Sequence, residues 1–196
     1  GISQSDVIVA STGVIGMPLD VTPIKDSMGE LYAQLSDSLE AGKNAAEAIM
    51  TTDTVLKEVA VEFEISGTVC RMGGIAKGSG MIHPNLATML IFITCDAVIS
   101  AEMIKKALSA DVQKTFNMIS IDGDTSTNDT VAIIANGIAG NKPIVSEGED
   151  YDAFCKALYM LTSKLCKMIA ADGEGATKLL ECVVTGGRDV KTAQIV

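Results

Sequence analysis

Residues 59–65 read VAVEFEI, an alternation of apolar and acidic side chains that constrains the fold more than any other stretch of the sequence. A period of two is the period of a strand, whose successive side chains leave by opposite faces, so this segment has one dry face and one wet face. After Ser66-Gly67 the chain resumes as TVCRMGGIA, a second run of strand character. Two such runs joined by a short glycine-containing turn predict a β-hairpin.

Elements on either side extend this into a mixed pattern. DVIVAS, residues 6–11, is β-branched and gives way to STGVIG, a hydroxyl-rich turn with exposed amides, so strand then loop is expected. Between residues 24 and 50, Met28, Leu31, Leu35 and Leu39 recur at helical spacing, and AAEAIM continues as a second helical stretch beyond Gly42. A glycine loop, GIAKGSG at 74–80, leads through Pro84-Asn85 to an apolar strand starting at Thr88. A helix is expected from 101 to about 115, with Ser100 as its cap and Glu102 in its first turn. MISI and TVAIIANG flank a polar loop at 122–129. A long helix from about 150 to 170 lines up Phe154, Leu158, Leu161, Leu165 and Met168, and a further strand is expected after the glycine loop of ADGEGATKLLECVVTGG. No repeat or low-complexity linker divides the chain, and the pattern predicts a single layered α/β domain with its chemistry on loops at strand ends.

Composition excludes several functions. Against 25 acidic residues stand 15 basic ones, a net charge of -10 that repels a phosphate backbone where no basic patch overrides it. No apolar run approaches the ~20 residues of a membrane helix, and no basic region with a signal core opens the chain, so a soluble, cytoplasmic protein is expected. The five cysteines are odd in number and never form C-x-x-C, which predicts reduced core residues and neither disulfides nor zinc. A first residue that is not Met and an unfinished last element predict a fragment.

Candidate sites narrow by elimination. GIAKGSG has Lys77 before Gly78, the wrong order for a Walker loop. Residues 122–129 have Thr127 where a calcium loop needs glycine and Ile133 where it needs glutamate, so a hydrogen-bonded turn network is expected there. His83 is the sole histidine, which removes multi-histidine metal sites and leaves few bases for a hydroxyl nucleophile. One solution is a threonine whose own α-amine, titrating near ~7.7 to 8.0, is freed by cleavage in front of it. Ala87-Thr88 and Ala176-Thr177 both have the small residue this requires. The residues alone do not choose between them.

GGIAKGSGMIHPNLATMLIFITCDA resembles the signature of the ornithine acetyltransferase family, the glutamate N-acetyltransferases of arginine biosynthesis. VIVASTGVIG, AIMTTDT, ISIDGDTSTNDTV and DGEGATKLLE resemble further blocks of that family in its order, so the resemblance covers essentially the whole chain. It implies a layered αββα-type sandwich and self-cleavage between Ala87 and Thr88, with residues 1–87 ending an α chain and 88–196 starting a β chain. Thr88 would be the nucleophile and Thr12 and Gly13 the oxyanion hole. Thr54, Lys77, Thr88 and Glu174 would contact substrate. The implied reaction carries acetyl from N-acetyl-L-ornithine to L-glutamate by ping-pong transfer without a cofactor, acetyl-CoA being a further donor in some members. The cleaved chains would assemble as a heterotetramer of two α and two β, and the family's proteins extend beyond both ends of this stretch. The rival expectations are a self-processing aminopeptidase or amidase with an amino-terminal nucleophile, and a non-catalytic assembly remnant.

Overall fold

The structure is a computed structural model that describes residues 3–83, 86, 87, 89–124, 126 and 128–195. Strands β1 (Lys57–Ile65) and β2 (Thr68–Lys77) form the expected antiparallel hairpin, pairing Ile65 with Thr68 and Lys57 with Ala76. Ser66 at φ 48° and Gly67 at φ 82° turn it. Two successive left-handed residues give a turn whose twist matches that of the strands it joins. The alternation holds: Val59 and Ile65 are buried, whereas Glu58, Glu62 and Glu64 are exposed.

Short strands β3 (Ile82–His83) and β4 (Leu86–Ala87) pair with each other, and β5 (Leu90–Cys95) then returns to the main sheet, antiparallel to β2 with Lys77 opposite Leu90. The expected strand therefore begins at Leu90, and Thr88 lies outside the described residues. Helix α3 (Ala101–Val112) opens on Ser100, whose Oγ accepts from the Met103 amide at 3.3 Å, and Glu102 stands in its first turn. Strand β6 (Thr130–Ala135) lies parallel to β5, completing the order β1-β2-β5-β6. Parallel neighbours need a long crossover, which the stretch containing α3 supplies.

One face of this sheet is covered by α4 (Glu149–Ala171), which packs on β1 and β2 while α3 packs on α4. Phe154, Leu158, Leu161 and Leu165 are buried and Met168 is half-buried, so the helical stripe read from the sequence is the core face. Full burial of each such side chain contributes roughly 1.5–3 kcal/mol. Phe154 meets Phe63 edge to face at 6.2 Å. A Cβ on Gly74 would stand 2.9 Å from Leu161 Cδ2, so the absence of a side chain there lets the helix lie close to β2.

Four expectations need correction. Residues 6–11 are not a strand: Asp6 ends a 3-10 turn begun at Gln4, and Val7, Ile8 and Val9 are exposed and pair with no strand among the described residues. Nor are residues 177–185, where Leu179, Leu180, Val183 and Val184 are exposed. β-Branched composition does not make a strand without a neighbour to complete the hydrogen-bond ladder. The helices at 24–50 divide as α1 (Thr22–Ala33) and α2 (Leu39–Ala48), which places Leu39 and Gly42 in the second helix. Ser38 sets that boundary, its hydroxyl accepting from the Ala41 amide at 3.2 Å. Among the cysteines, Cys70, Cys95 and Cys166 are buried and Cys155 half-buried, but Cys182 is exposed on the irregular 177–185 segment. Burial pushes the Cys70 thiol up to about 11, which keeps it protonated and inert.

Candidate active site

Strand register decides where the site lies. Lys57 begins β1 opposite Ala76, Lys77 ends β2 opposite Leu90, and Leu90 begins β5 beside Thr130, the start of β6. The segments 51–56, 78–81 and 122–129 and Met89 therefore emerge at one end of the sheet. Residues 172–174, which follow α4, reach the same place through hydrogen bonds to residues 52, 54 and 79.

At the base is Lys57, fully buried. Its Nζ donates to Asp53 Oδ1 at 2.7 Å, to Asp172 Oδ2 at 2.5 Å and to the Val55 carbonyl at 3.3 Å. A buried ammonium needs this degree of compensation. Asp172 also accepts from the hydroxyl of Thr54 and from the amides of Thr54 (3.0 Å) and Val55 (3.2 Å). Asp53 accepts from the Gly78 amide at 2.8 Å. Burial raises both carboxyls, but these donors outweigh it and hold Asp53 and Asp172 below the usual carboxylate range.

Above Lys57, consecutive threonines reach the two charges that the family resemblance assigns to substrate. Lys77, 2% exposed, donates from Nζ to Thr51 Oγ1 at 3.1 Å. Burial pushes its ammonium down, Asp53 and Asp129 draw it back up, and Lys57 pushes it down. Glu174 accepts from Thr52 Oγ1 at 2.5 Å, and its amide donates to the Ser79 carbonyl at 2.7 Å. Lys77 and Glu174 thus hold two residues adjacent in the chain, whereas the Thr54 hydroxyl is committed to Asp172. The residue patterns did not single out Thr51, Thr52, Asp53, Lys57 or Asp172. One signal was present: Lys57 has the parity of Val59, Val61, Phe63 and Ile65 and so falls on the inward face of β1.

Ala87 belongs to β4, paired with Ile82, and the residue just beyond Thr88 is firmly held. The Met89 amide donates to Asp129 Oδ1 at 2.8 Å, and its carbonyl accepts from Thr130 at 2.9 Å. Burial pushes the Asp129 carboxyl up, opposed by the Met89 amide, Ser126 and Lys77. Among the described residues of the 122–129 loop, Asp122 accepts from the amides of Met81 (2.5 Å), Ile82 (3.0 Å) and Asp124 (3.1 Å) and Ser126 from that of Asn128 (3.1 Å), in line with the expected turn network, while Thr125 and Thr127 lie outside the described residues. Those bonds hold Met81 at φ 55°, a left-handed conformation that an unbranched side chain adopts at a cost of about 1–2 kcal/mol.

Thr12 and Gly13 lie on the irregular segment after residue 11, lining a cavity of about 270 Å³ with Met81, Ser126 and Asn128. The Thr12 hydroxyl is buried and has no hydrogen-bond partner among the described residues. A Cβ on Gly13 would meet nothing within 4 Å, so the space beside its Cα is open. A larger cavity of about 560 Å³ lies between α3 and α4, and none of the expected site residues lines it. Among the described residues no helix is long and apolar enough to cross a membrane, and no group of three or more His, Cys, Asp or Glu is arranged to hold a metal ion.

The sequence profile of the ArgJ family matches residues 1–196. Glutamate N-acetyltransferase of Methanocaldococcus jannaschii is 50% identical over 194 residues, 98% of this chain and 47% of that protein. The arginine biosynthesis bifunctional protein ArgJ of Caldanaerobacter subterraneus is 49% identical over 194 residues, 99% of this chain and 48% of that protein. The chain therefore spans about half the length of the curated relatives it matches. A crystal structure of the Bacillus halodurans ArgJ protein is 49% identical, covering 44% of this chain and 41% of that one with a TM-score of 0.43. With the family profile matched from its first residue to its last and relatives at close to half identity over nearly all of its length, this chain belongs to the ArgJ family.

Proposed function

We propose that these residues carry the nucleophile of a cytoplasmic glutamate N-acetyltransferase of arginine biosynthesis. The whole protein passes acetyl from N-acetyl-L-ornithine to L-glutamate through an ester on Thr88. Support comes from the family and from relatives named glutamate N-acetyltransferase and arginine biosynthesis bifunctional protein. The observation that carries the reading is that buried Lys77 and exposed Glu174 each hydrogen-bond one of the consecutive residues Thr51 and Thr52, at the end of the sheet where Met89 also lies. In a chain of net charge -10, an opposed pair at one place is what an amino acid substrate requires.

Activation comes first. Thr88 Oγ attacks the Ala87 carbonyl carbon, the Ala87–Thr88 peptide bond breaks, and its nitrogen takes the proton. Water then cleaves the ester, leaving a carboxylate on Ala87 and a free amine on Thr88. In turnover that amine accepts the Thr88 hydroxyl proton as Oγ attacks the acetyl carbon of N-acetylornithine. Collapse of the oxyanion expels ornithine, whose nitrogen leaves protonated. The amine of glutamate next attacks the acetyl ester, forming N-acetylglutamate and returning the proton to Thr88 Oγ. The ester itself carries the acetyl group, so no cofactor is needed, and acetyl-CoA, a donor in some members of the family, would load the same oxygen.

Thr12 and Gly13 supply the oxyanion hole in this reading. Leaving a buried hydroxyl unpaired costs about 1–3 kcal/mol, and the Thr12 hydroxyl, which has no partner among the described residues, gains one when the tetrahedral oxyanion forms. The α and β chains left by cleavage remain together as a heterotetramer. Denaturing mass spectrometry of a full-length protein carrying this sequence tests the reading: wild type yields a new chain beginning at Thr88, and Thr88→Ala remains one inactive chain. Wild-type protein that is active without that cut would overturn it.

A further inference from the structure

We infer that Thr52, Ser79 and Gly80 form a socket that positions the Glu174 carboxylate for substrate, an inference that rests on the proposed reading of Glu174 as a substrate-binding group. Thr52 Oγ1 lies 2.5 Å from Glu174 Oε1 and 2.6 Å from Ser79 Oγ. An ionised carboxylate only accepts, so the Thr52 proton is committed to Glu174 and the Ser79 hydroxyl must donate to Thr52. The relay therefore runs one way, from Ser79 to Thr52 to Glu174. Ser79 is 2% exposed, and its carbonyl accepts the Glu174 amide at 2.7 Å. One buried residue thus fixes the backbone of Glu174 directly and its side chain through Thr52.

Gly80 forms the remaining wall. A Cβ there would stand 2.8 Å from both Cδ and Oε1 of Glu174 and 3.1 Å from Oε2. The carboxylate lies against bare glycine backbone, in space that exists only because no side chain fills it. Gly80 is outside the left-handed region, so its role is room and not turn geometry. An exposed glutamate ordinarily loses rotamer freedom when it grips a ligand, and a socket removes that loss before binding. Thr52, Ser79 and Gly80 are accordingly positioning residues whose effect falls on affinity.

The test uses initial rates with N-acetylornithine for full-length Thr52→Val, Gly80→Ala, Glu174→Ala and the Thr52→Val/Glu174→Ala double variant. Thr52→Val and Gly80→Ala should each raise KM roughly tenfold and leave kcat within about twofold, with cleavage before residue 88 intact. Thr52→Ser should restore the wild-type KM. On the Glu174→Ala background, Thr52→Val should add less than roughly a twofold change, because the group it positions is gone. The socket is overturned if Thr52→Val and Gly80→Ala leave KM unchanged while Glu174→Ala raises it, or if the Thr52 and Glu174 effects multiply in full. An unchanged KM in Glu174→Ala would instead overturn the substrate-binding reading, and the socket with it.

Discussion

Replacing Lys57 by Met removes the cation from the base of the site and leaves its space filled. The Lys57 side chain is 0% exposed, with carboxylate oxygens of Asp53 and Asp172 at 2.7 and 2.5 Å. Breaking a buried pair from one side costs about 3–5 kcal/mol, because the remaining charge is left without compensation. Two carboxylates share Lys57, but Asp53 keeps the Gly78 amide and Asp172 keeps Thr54 and the Val55 amide, so the loss stays within that range. The pH dependence makes the prediction specific. Both carboxyls titrate below their ordinary values in the folded wild type, so their contribution is present above the unfolded value of ~3.9 and is lost as pH falls through the folded values. Without Lys57, burial is less opposed and the folded values rise. Acid then relieves the variant by protonating its stranded carboxylates, at pH values where the wild-type contribution is still present. The stability difference, about 3–5 kcal/mol at pH 7, should therefore shrink as pH falls towards ~4. Urea titrations of wild type and Lys57→Met across that interval measure it. A difference under about 1 kcal/mol at pH 7, or one that does not change with pH, would refute the reasoning.

Thr12→Ala should lower kcat by roughly a hundredfold or more and leave KM nearly unchanged, since an oxyanion donor acts mainly on the transition state. A raised KM with normal kcat would make Thr12 a ground-state binding residue. Lys77→Met should raise KM for both N-acetylornithine and glutamate, because each presents an α-carboxylate to the same ammonium. Initial rates that show only one substrate weakened would end the shared-site reading.

What could be read in advance depended on whether the determining contacts were local. The hairpin around Ser66-Gly67, the Ser100 cap and the buried stripe of α4 each follow from residues within a few positions of one another, and each is present. Residues 6–11 and 177–185 have strand composition, but a strand also needs a neighbouring edge, which local composition does not specify. The same limit governed the site. Thr51, Thr52 and Thr54 are indistinguishable in TTDT, yet one reaches Lys77, the next Glu174 and the last Asp172. Asp172 is 115 residues from the lysine it neutralises, and no spacing rule connects the two. Lys57 itself was legible, because a lysine in phase with the buried side of an alternating strand must find an anion.

Sheet order gives the proposed cut an unusual property. Strands β1 and β2 lie before residue 87, while β5, β6 and α4 lie after residue 88. β2 is nevertheless hydrogen-bonded to β5 from Met72 opposite Cys95 to Lys77 opposite Leu90, and α4 packs across both earlier strands. Opening the backbone at that point would leave the sheet and its core joined. Unfolding would change in kind, however, because the separated pieces would have to find each other again. Refolding would become second order in protein, and persistence of the folded state would depend on slow escape over the unfolding barrier, with little help from reversible recovery.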